Sequence, residues 1–137
     1  MVTLKLLDYV EVLDRPYFTP YYIYLIMVNG NEVGRLTFRT GSDEEHYFDG
    51  HIGYGIEKSY RGHHFAYQAC LALKPLIREQ GYDHVLLTCD PDNLASKKTI
   101  ERLGAKLIDQ REVPSSMRHV FGKDETVKLI YSWEVGA

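Results

Sequence analysis

Alternation of hydrophobic and polar residues predicts strands over much of the first 57 residues. Val2 to Leu13 alternates loosely. Tyr21 to Val28 and Glu32 to Arg39 form two further runs, and Asn29-Gly30-Asn31 lies between them. Because an Asn-Gly pair between two such runs is typical of a hairpin turn, we predict one strand followed by an antiparallel hairpin.

A fourth strand leads into the first predicted helix. His51 to Glu57 has a strand pattern with Gly53 and Gly55 inside it, and glycines in a strand indicate a bulge or a close approach by another group. After the next turn, apolar residues recur every three or four positions to about Gln80. This spacing predicts an amphipathic helix that ends at Gly81.

The remaining pattern completes an α+β domain. It predicts a strand, a second helix and two further strands, at His84 to Cys89, Asn93 to Leu103, Ala105 to Glu112 and Thr126 to Val135. We therefore expect a mixed, mostly antiparallel sheet of about seven strands, flanked by two main helices, with a crossover around the first helix.

Composition limits the number of domains and the classes of partner. A chain of 137 residues with 45% hydrophobic content predicts a single domain, residues 1–137, with a sufficient core. A net charge of -3 disfavours nucleic acid. No apolar run approaches the ~20 residues of a membrane span, and the beginning does not resemble a secretory signal. We therefore expect a cytoplasmic protein without a membrane partner.

The junction between the fourth strand and the first helix carries the candidate chemistry. Residues 60–66 read Tyr-Arg-Gly-His-His-Phe-Ala. The first turn of a helix leaves backbone N–H groups unpaired, with the positive end of the helix dipole behind them. Such a junction favours phosphate binding.

Histidine and cysteine usage predicts neither a metal site nor a disulfide. His63 and His64 are adjacent at a helix start and therefore point apart, and no Cys or His cluster completes a site. Cys70 and Cys89 fall in apolar segments, where a thiol usually acts as a small buried hydrophobe.

Two motifs resemble the GNAT superfamily of acyl-CoA-dependent N-acetyltransferases. The superfamily's pyrophosphate signature maps onto residues 61–66, with His64 in place of the middle glycine. The signature consists of Gln or Arg, any two residues, Gly, any one residue, and Gly or Ala. Its second helix often opens with Asn, two residues and Ser, and closes with Leu-Gly, as in residues 93–96 and 103–104. The chain resembles in particular a group of bacterial acetyltransferases with Gly-Tyr and Thr-Cys-Asp at the places of residues 53–54 and 88–90.

The resemblance implies acetyl-CoA as co-substrate, without a metal. Its pyrophosphate would lie on the turn, and its pantetheine arm would pair with the preceding strand, splayed from its neighbour by a bulge. The second helix would face the same ligand. The residues implied are Gly55, Ile56, Arg61, Gly62, His63, His64, Phe65, Ala66, Asn93, Ser96 and Lys97.

The resemblance does not supply an acid or a base. Ile100 stands where several branches have a tyrosine acid, and Thr88 stands where another has a glutamate base. Asp49, His51 and Asp90 are then candidate bases. Three interpretations remain open: an N-acetyltransferase for a primary amine, a CoA-binding module without catalysis, and an interaction protein that keeps only the fold.

The acceptor side is shorter than in the superfamily, which usually inserts one or two helices after the first strand. Residues 11–20 contain two prolines and leave no room for two helices. The groove for a small-molecule or peptide amine would then be open, be walled by the acidic loop of residues 41–48, or be completed by a second subunit in a homodimer.

Overall fold

A computed structural model describes residues 1–11, 19–121 and 126–136. In these residues the chain forms seven strands and two α-helices. They are β1 (Val2–Val10), β2 (Tyr21–Val28), β3 (Asn31–Arg39), β4 (Ile52–Ile56), α1 (Phe65–Glu79), β5 (His84–Cys89), α2 (Leu94–Arg102), β6 (Lys106–Glu112) and β7 (Val127–Glu134). Short 3-10 turns at Lys58–Tyr60 and Ser115–Val120 have no counterpart in the prediction.

The strands form two antiparallel sheets, ordered β1-β2-β3-β4 and β5-β7-β6. The α+β class, the seven strands and the two flanking helices are thus confirmed, but the single sheet is divided. The sheets meet where the N–H of His51 donates to the carbonyl of Leu86 at 2.8 Å. α1 connects β4 to β5 and therefore spans this division.

The bulge predicted in β4 is absent. The β3–β4 ladder runs from Gly34–Ile56 to Phe38–Ile52 without a register shift. At Gly53 the other expected reason for a glycine, the close approach of another group, is observed. A Cβ there would lie 2.8 Å from an Arg39 side-chain nitrogen. β4 and β5 therefore separate because they belong to different sheets, and not because β4 is distorted.

The helices pack on the face of the sheets that forms the core. α1 buries Ala69, Cys70, Leu73 and Ile77, and Cys89 belongs to the same core cluster. Both cysteines are free and buried, as expected of thiols that act as small hydrophobes. Among the described residues, no helix is long and apolar enough to cross a bilayer.

Residues 41–50, called loop 41–50 below, lie against the second sheet. The Thr88 hydroxyl donates to the Phe48 carbonyl at 2.9 Å, and the Tyr47 hydroxyl donates to Asp109 on β6 at 2.6 Å. At the start of the loop, the N–H of Gly41 donates to the Tyr82 hydroxyl at 2.9 Å. The loop is thus fixed at both ends.

Candidate functional site

The two predicted motif segments meet in one groove of about 530 Å³ between β4, α1 and α2. All of the predicted cofactor residues except His63 and Lys97 line it, namely Gly55, Ile56, Arg61, Gly62, His64, Phe65, Ala66, Asn93 and Ser96. Residues that are far apart in sequence are thus brought to one surface.

The beginning of α1 presents unpaired N–H groups to this groove. The first bond within the helix runs from the N–H of Gln68 to the carbonyl of His64 at 3.0 Å, and no side chain caps the helix. The structure assigns no acceptor among the described residues to the N–H groups of Phe65, Ala66 and Tyr67. These donors and the helix dipole make the groove suitable for an anion.

His64, which stands in place of the expected glycine, has a backbone angle that glycine favours. Its φ is +61°, in the left-handed region that glycine adopts freely and that histidine adopts more readily than β-branched residues do. Gly62, two residues earlier, has φ +91°. The turn therefore needs residues that tolerate positive φ.

The backbone N–H and C=O groups of Tyr54 and Ile56 lie on the edge of β4 that faces away from β3. His51 and Glu57 bond backbone to backbone with β3, and the regular register between them gives the same orientation to Gly53 and Gly55. The alternate residues direct their polar groups to the opposite side. There the Arg61 side chain donates to the Ile56 carbonyl at 3.0 Å.

The beginning of α2 forms the opposite wall of the groove. Asn93 caps the helix by accepting from the Ser96 N–H at 3.2 Å. The Ser96 hydroxyl lies 2.9 Å from the hydroxyl of Tyr54. Burial raises the pKa of Tyr54 to about 12, so this phenol remains protonated at neutral pH.

Sequence reasoning did not place Arg102 and Tyr67 in the groove. Arg102 lies 3.2 Å from Nε2 of His64 and stacks over the Tyr67 ring, with 4.7 Å between its Cζ and the ring centroid. Lys98, not Lys97, lines the groove. The three- and four-residue spacing of positions 95, 98, 99 and 102 would have identified this helix face.

The geometry of His51 leaves it no free ring nitrogen. The side chain is 0% exposed. Nδ1 accepts from the Leu86 N–H at 2.9 Å, and Nε2 lies 3.0 Å from the Gly41 carbonyl, to which it can only donate. Burial lowers the pKa of His51, which keeps it neutral.

The two aspartates among the candidate bases are both paired. Asp49 contacts His46 Nδ1 at 3.0 Å and the Arg39 side chain at 3.7 Å. Asp90 accepts from Lys128 at 2.8 Å. Neither of them lines the groove.

Other predicted features lie outside the groove. Loop 41–50 does not line it, and two of its acidic residues, Asp43 and Glu44, line a separate hollow with residues 81–84. Residues 12–18, most of the shortened acceptor-side segment, lie outside the described part of the chain. No group of three or more His, Cys, Asp or Glu that could hold a metal occurs in residues 1–11, 19–121 and 126–136.

Comparison with protein families gives a match over most of the chain. A family model described as an acetyltransferase (GNAT) domain matches residues 6–106. A comparison with curated proteins finds no match.

Solved structures share the fold at low identity. The apo structure of RimL, a ribosomal L7/L12 alpha-N-protein acetyltransferase, is 21% identical, with TM-score 0.68 over 85% of this chain and 71% of RimL. The self-immunity acetyltransferase MccE with acetyl-CoA and AMP is 20% identical, with TM-score 0.61 over 83% of this chain and 61% of that one. A GNAT acetyltransferase from Elizabethkingia anophelis with acetyl-CoA bound is 10% identical, with TM-score 0.65 over 83% and 76%.

Proposed function

Because the chain belongs to the family of GNAT-domain acetyltransferases, we propose that it is an acetyl-CoA-dependent N-acetyltransferase that transfers acetyl directly to a primary amine. The unpaired N–H groups at the beginning of α1, in the groove formed by both motif segments, carry this proposal. A pyrophosphate carries two negative charges and needs converging donors, which a helix start provides.

The charge of the groove also supports acetyl-CoA as the co-substrate. Arg61, Lys98 and Arg102 line it, and no carboxylate occurs among the described residues of its lining. A peptide-like arm fits the open edge of β4 at Tyr54 and Ile56, since extended chains pair readily with an unpaired strand edge. Bound acetyl-CoA would supply the activated acetyl group.

The proposed reaction is a direct displacement. The amine nitrogen attacks the carbonyl carbon, a C–N bond forms, the C–S bond breaks, and its electron pair leaves with the sulfur. The protein contributes mainly by holding the two reactants together, which accounts for much of the rate in such reactions. The amine proton leaves to solvent, either directly or through Asp49 or Asp90, whose side chains keep exposed fractions of 26% and 25%.

The acceptor is proposed only as an amine. RimL is named for an alpha-N-protein substrate, and MccE was solved with AMP beside acetyl-CoA, so the fold accommodates both peptide and small-molecule chemistry. We propose cytoplasmic action on one of these classes, by a monomer or a homodimer.

The first test is stabilisation by acetyl-CoA. At about 100 times the dissociation constant, the ligand is expected to raise the free energy of unfolding by about 2.7 kcal/mol. Ala66→Glu should abolish this shift, because a carboxylate beside the N–H groups repels pyrophosphate. Leu71→Glu, on the same helix but 41% exposed and outside the groove, is the control. No shift at millimolar acetyl-CoA would overturn the proposal.

The second candidate is a CoA-binding module without catalysis. It is favoured by the two engaged nitrogens of His51 and by the lack of a carboxylate in the described groove lining. Release of thiol from acetyl-CoA, measured across polyamines, amino sugars, aminoglycosides and peptide amino termini, separates the two. If acetyl-CoA raises the unfolding temperature but no amine causes release of thiol, the chain is a CoA-binding module.

A further inference from the structure

We propose that the Tyr54 hydroxyl, oriented by Ser96, donates a hydrogen bond to the sulfur of the bound cofactor and thereby stabilises the leaving thiolate. This inference rests on the proposed function. It assigns a residue to the role for which the second helix offers only Ile100, which is 1% exposed and packed in the core.

Position supports the assignment first. Tyr54 lies on the open edge of β4, two residues before Ile56, and its side chain reaches across the groove to α2. The 2.9 Å contact with Ser96 fixes its hydroxyl between the two walls. An arm that runs from the helix start along β4 reaches Tyr54, which is one of the residues that line the groove.

Hydrogen-bond capacity supports it second. A phenol can accept one bond and still donate its own O–H. When the Ser96 hydroxyl donates to the Tyr54 oxygen, the phenol proton remains available for a third group. Thr99 also hydrogen-bonds to Tyr54 through its side chain. When both hydroxyls donate to the phenol oxygen, the phenol proton is directed to the sulfur. A sulfur that acquires negative charge is a suitable acceptor, because hydrogen bonds to charged groups are about twice as strong as neutral ones.

Chemistry limits the role to donation. As the C–S bond breaks, its electron pair moves to sulfur, and the Tyr54 O–H stabilises that charge without losing its proton. Burial raises the pKa of Tyr54 to about 12, well above the pKa of about 8.5 of an ordinary thiol. The thiolate therefore leaves as an anion and takes a proton later from water.

The direct test is the pKa of the cofactor thiol in the binary complex with CoA. Thiolate absorbance is measured against pH for the CoA complex, with the desulfo-CoA complex as the blank, which cancels Cys70 and Cys89. Tyr54→Phe removes only the hydroxyl and is expected to raise the pKa of the bound thiol by about one unit, a tenfold change. Ser96→Ala should give a smaller increase in the same direction.

Tyr22→Phe is the matched control, because it removes the same group from β2, outside the groove. It is expected to leave the thiol pKa unchanged. If CoA stabilises both Tyr54→Phe and the wild type and the two have the same thiol pKa, the inference on Tyr54 is overturned while the proposed function stands. If CoA does not stabilise the wild type, the proposed function fails first.

With an acceptor in hand, turnover provides an independent check. Tyr54→Phe should lower kcat about tenfold or more and leave KM for acetyl-CoA nearly unchanged, since the bond strengthens only as charge develops. An increase in KM with unchanged kcat would show that Tyr54 only holds the arm, and would also overturn the inference.

Discussion

At the scale of single residues, the backbone angle of His64 is the most informative detail of the turn. A φ of +61° explains why a glycine is expected here and why a histidine can replace it. The sequence predicted the turn and its ligand class, because both depend on a local pattern. It did not predict the contact between His64 and Arg102, since residues 38 positions apart in the chain meet only when the helices pack.

Substitution of His64 should reveal this backbone constraint. His64→Val is expected to lower the free energy of unfolding by about 1–2 kcal/mol, because β-branched residues avoid the left-handed region. His64→Gly should change it by less than about 0.5 kcal/mol, since relief of strain and loss of chain entropy oppose each other. Chemical denaturation measures both, and His63→Val, at an exposed neighbour without positive φ, is the control. Equal stability of His64→Val and the wild type would contradict the assigned geometry.

At the scale of elements, loop 41–50 is held to β5 by His84 between two carboxylates. Nε2 lies 2.6 Å from Asp43 and Nδ1 lies 2.6 Å from Asp83. Both nitrogens can donate only when the ring is protonated, and Asp43 and then Asp83 raise the pKa of His84. Glu134 on β7 pairs with His84 in the register and adds to the acidic surroundings.

The loop should therefore be held more firmly at low pH. The folded pKa of His84 lies above its ordinary value of 6.5, so its contribution to stability is complete below pH 6.5 and is lost as pH rises through the folded pKa. The difference in unfolding free energy between wild type and His84→Gln should be larger at pH 6 than at pH 8.5. His63→Gln, whose ring contacts Phe65, provides the control. A difference that grows with pH would contradict this sign.

The elements also show where sequence reasoning was sufficient. β2 and β5 begin and end where their patterns predict, because strand alternation is a local property of the chain. The division of the sheet was not predicted, since it depends on which strands pair across α1. Residues 41–48 were one of three options for the wall of the acceptor groove, and residues 41–44 lie at a hollow with residues 81–84, a position that only the tertiary structure reveals.

At the scale of the whole molecule, the two sheets are held together at His51. Its backbone N–H bonds to Leu86, its ring accepts from the Leu86 N–H, and Nε2 reaches Gly41. The residue was predicted as a base because it is titratable and begins the fourth predicted strand. Its position in the structure instead gives it a connecting role between the sheets.

Removal of this imidazole should weaken the whole domain. His51→Ala leaves the buried Leu86 N–H without its acceptor and removes one of two donors to the Gly41 carbonyl, which also accepts from the Tyr82 hydroxyl. This is expected to cost about 1–3 kcal/mol of unfolding free energy. Because burial lowers the pKa of His51, the wild type should also lose stability as pH falls below 6.5, and the variant should lack this component. Thermal unfolding at several pH values measures both effects, with the exposed His63→Ala as control. An unaltered midpoint would contradict the connecting role.

The bond from Arg61 to the Ile56 carbonyl gives the open edge of β4 a direction. The N–H of Ile56 can still donate to a ligand, while the Ile56 carbonyl already accepts from Arg61. An amide that docks beside Ile56 with its oxygen towards the edge meets a donor, whereas the reversed amide has to share a carbonyl that already accepts one bond. The edge therefore favours one polarity of an extended ligand, so the arginine of the turn contributes to which end of the ligand lies deepest in the groove.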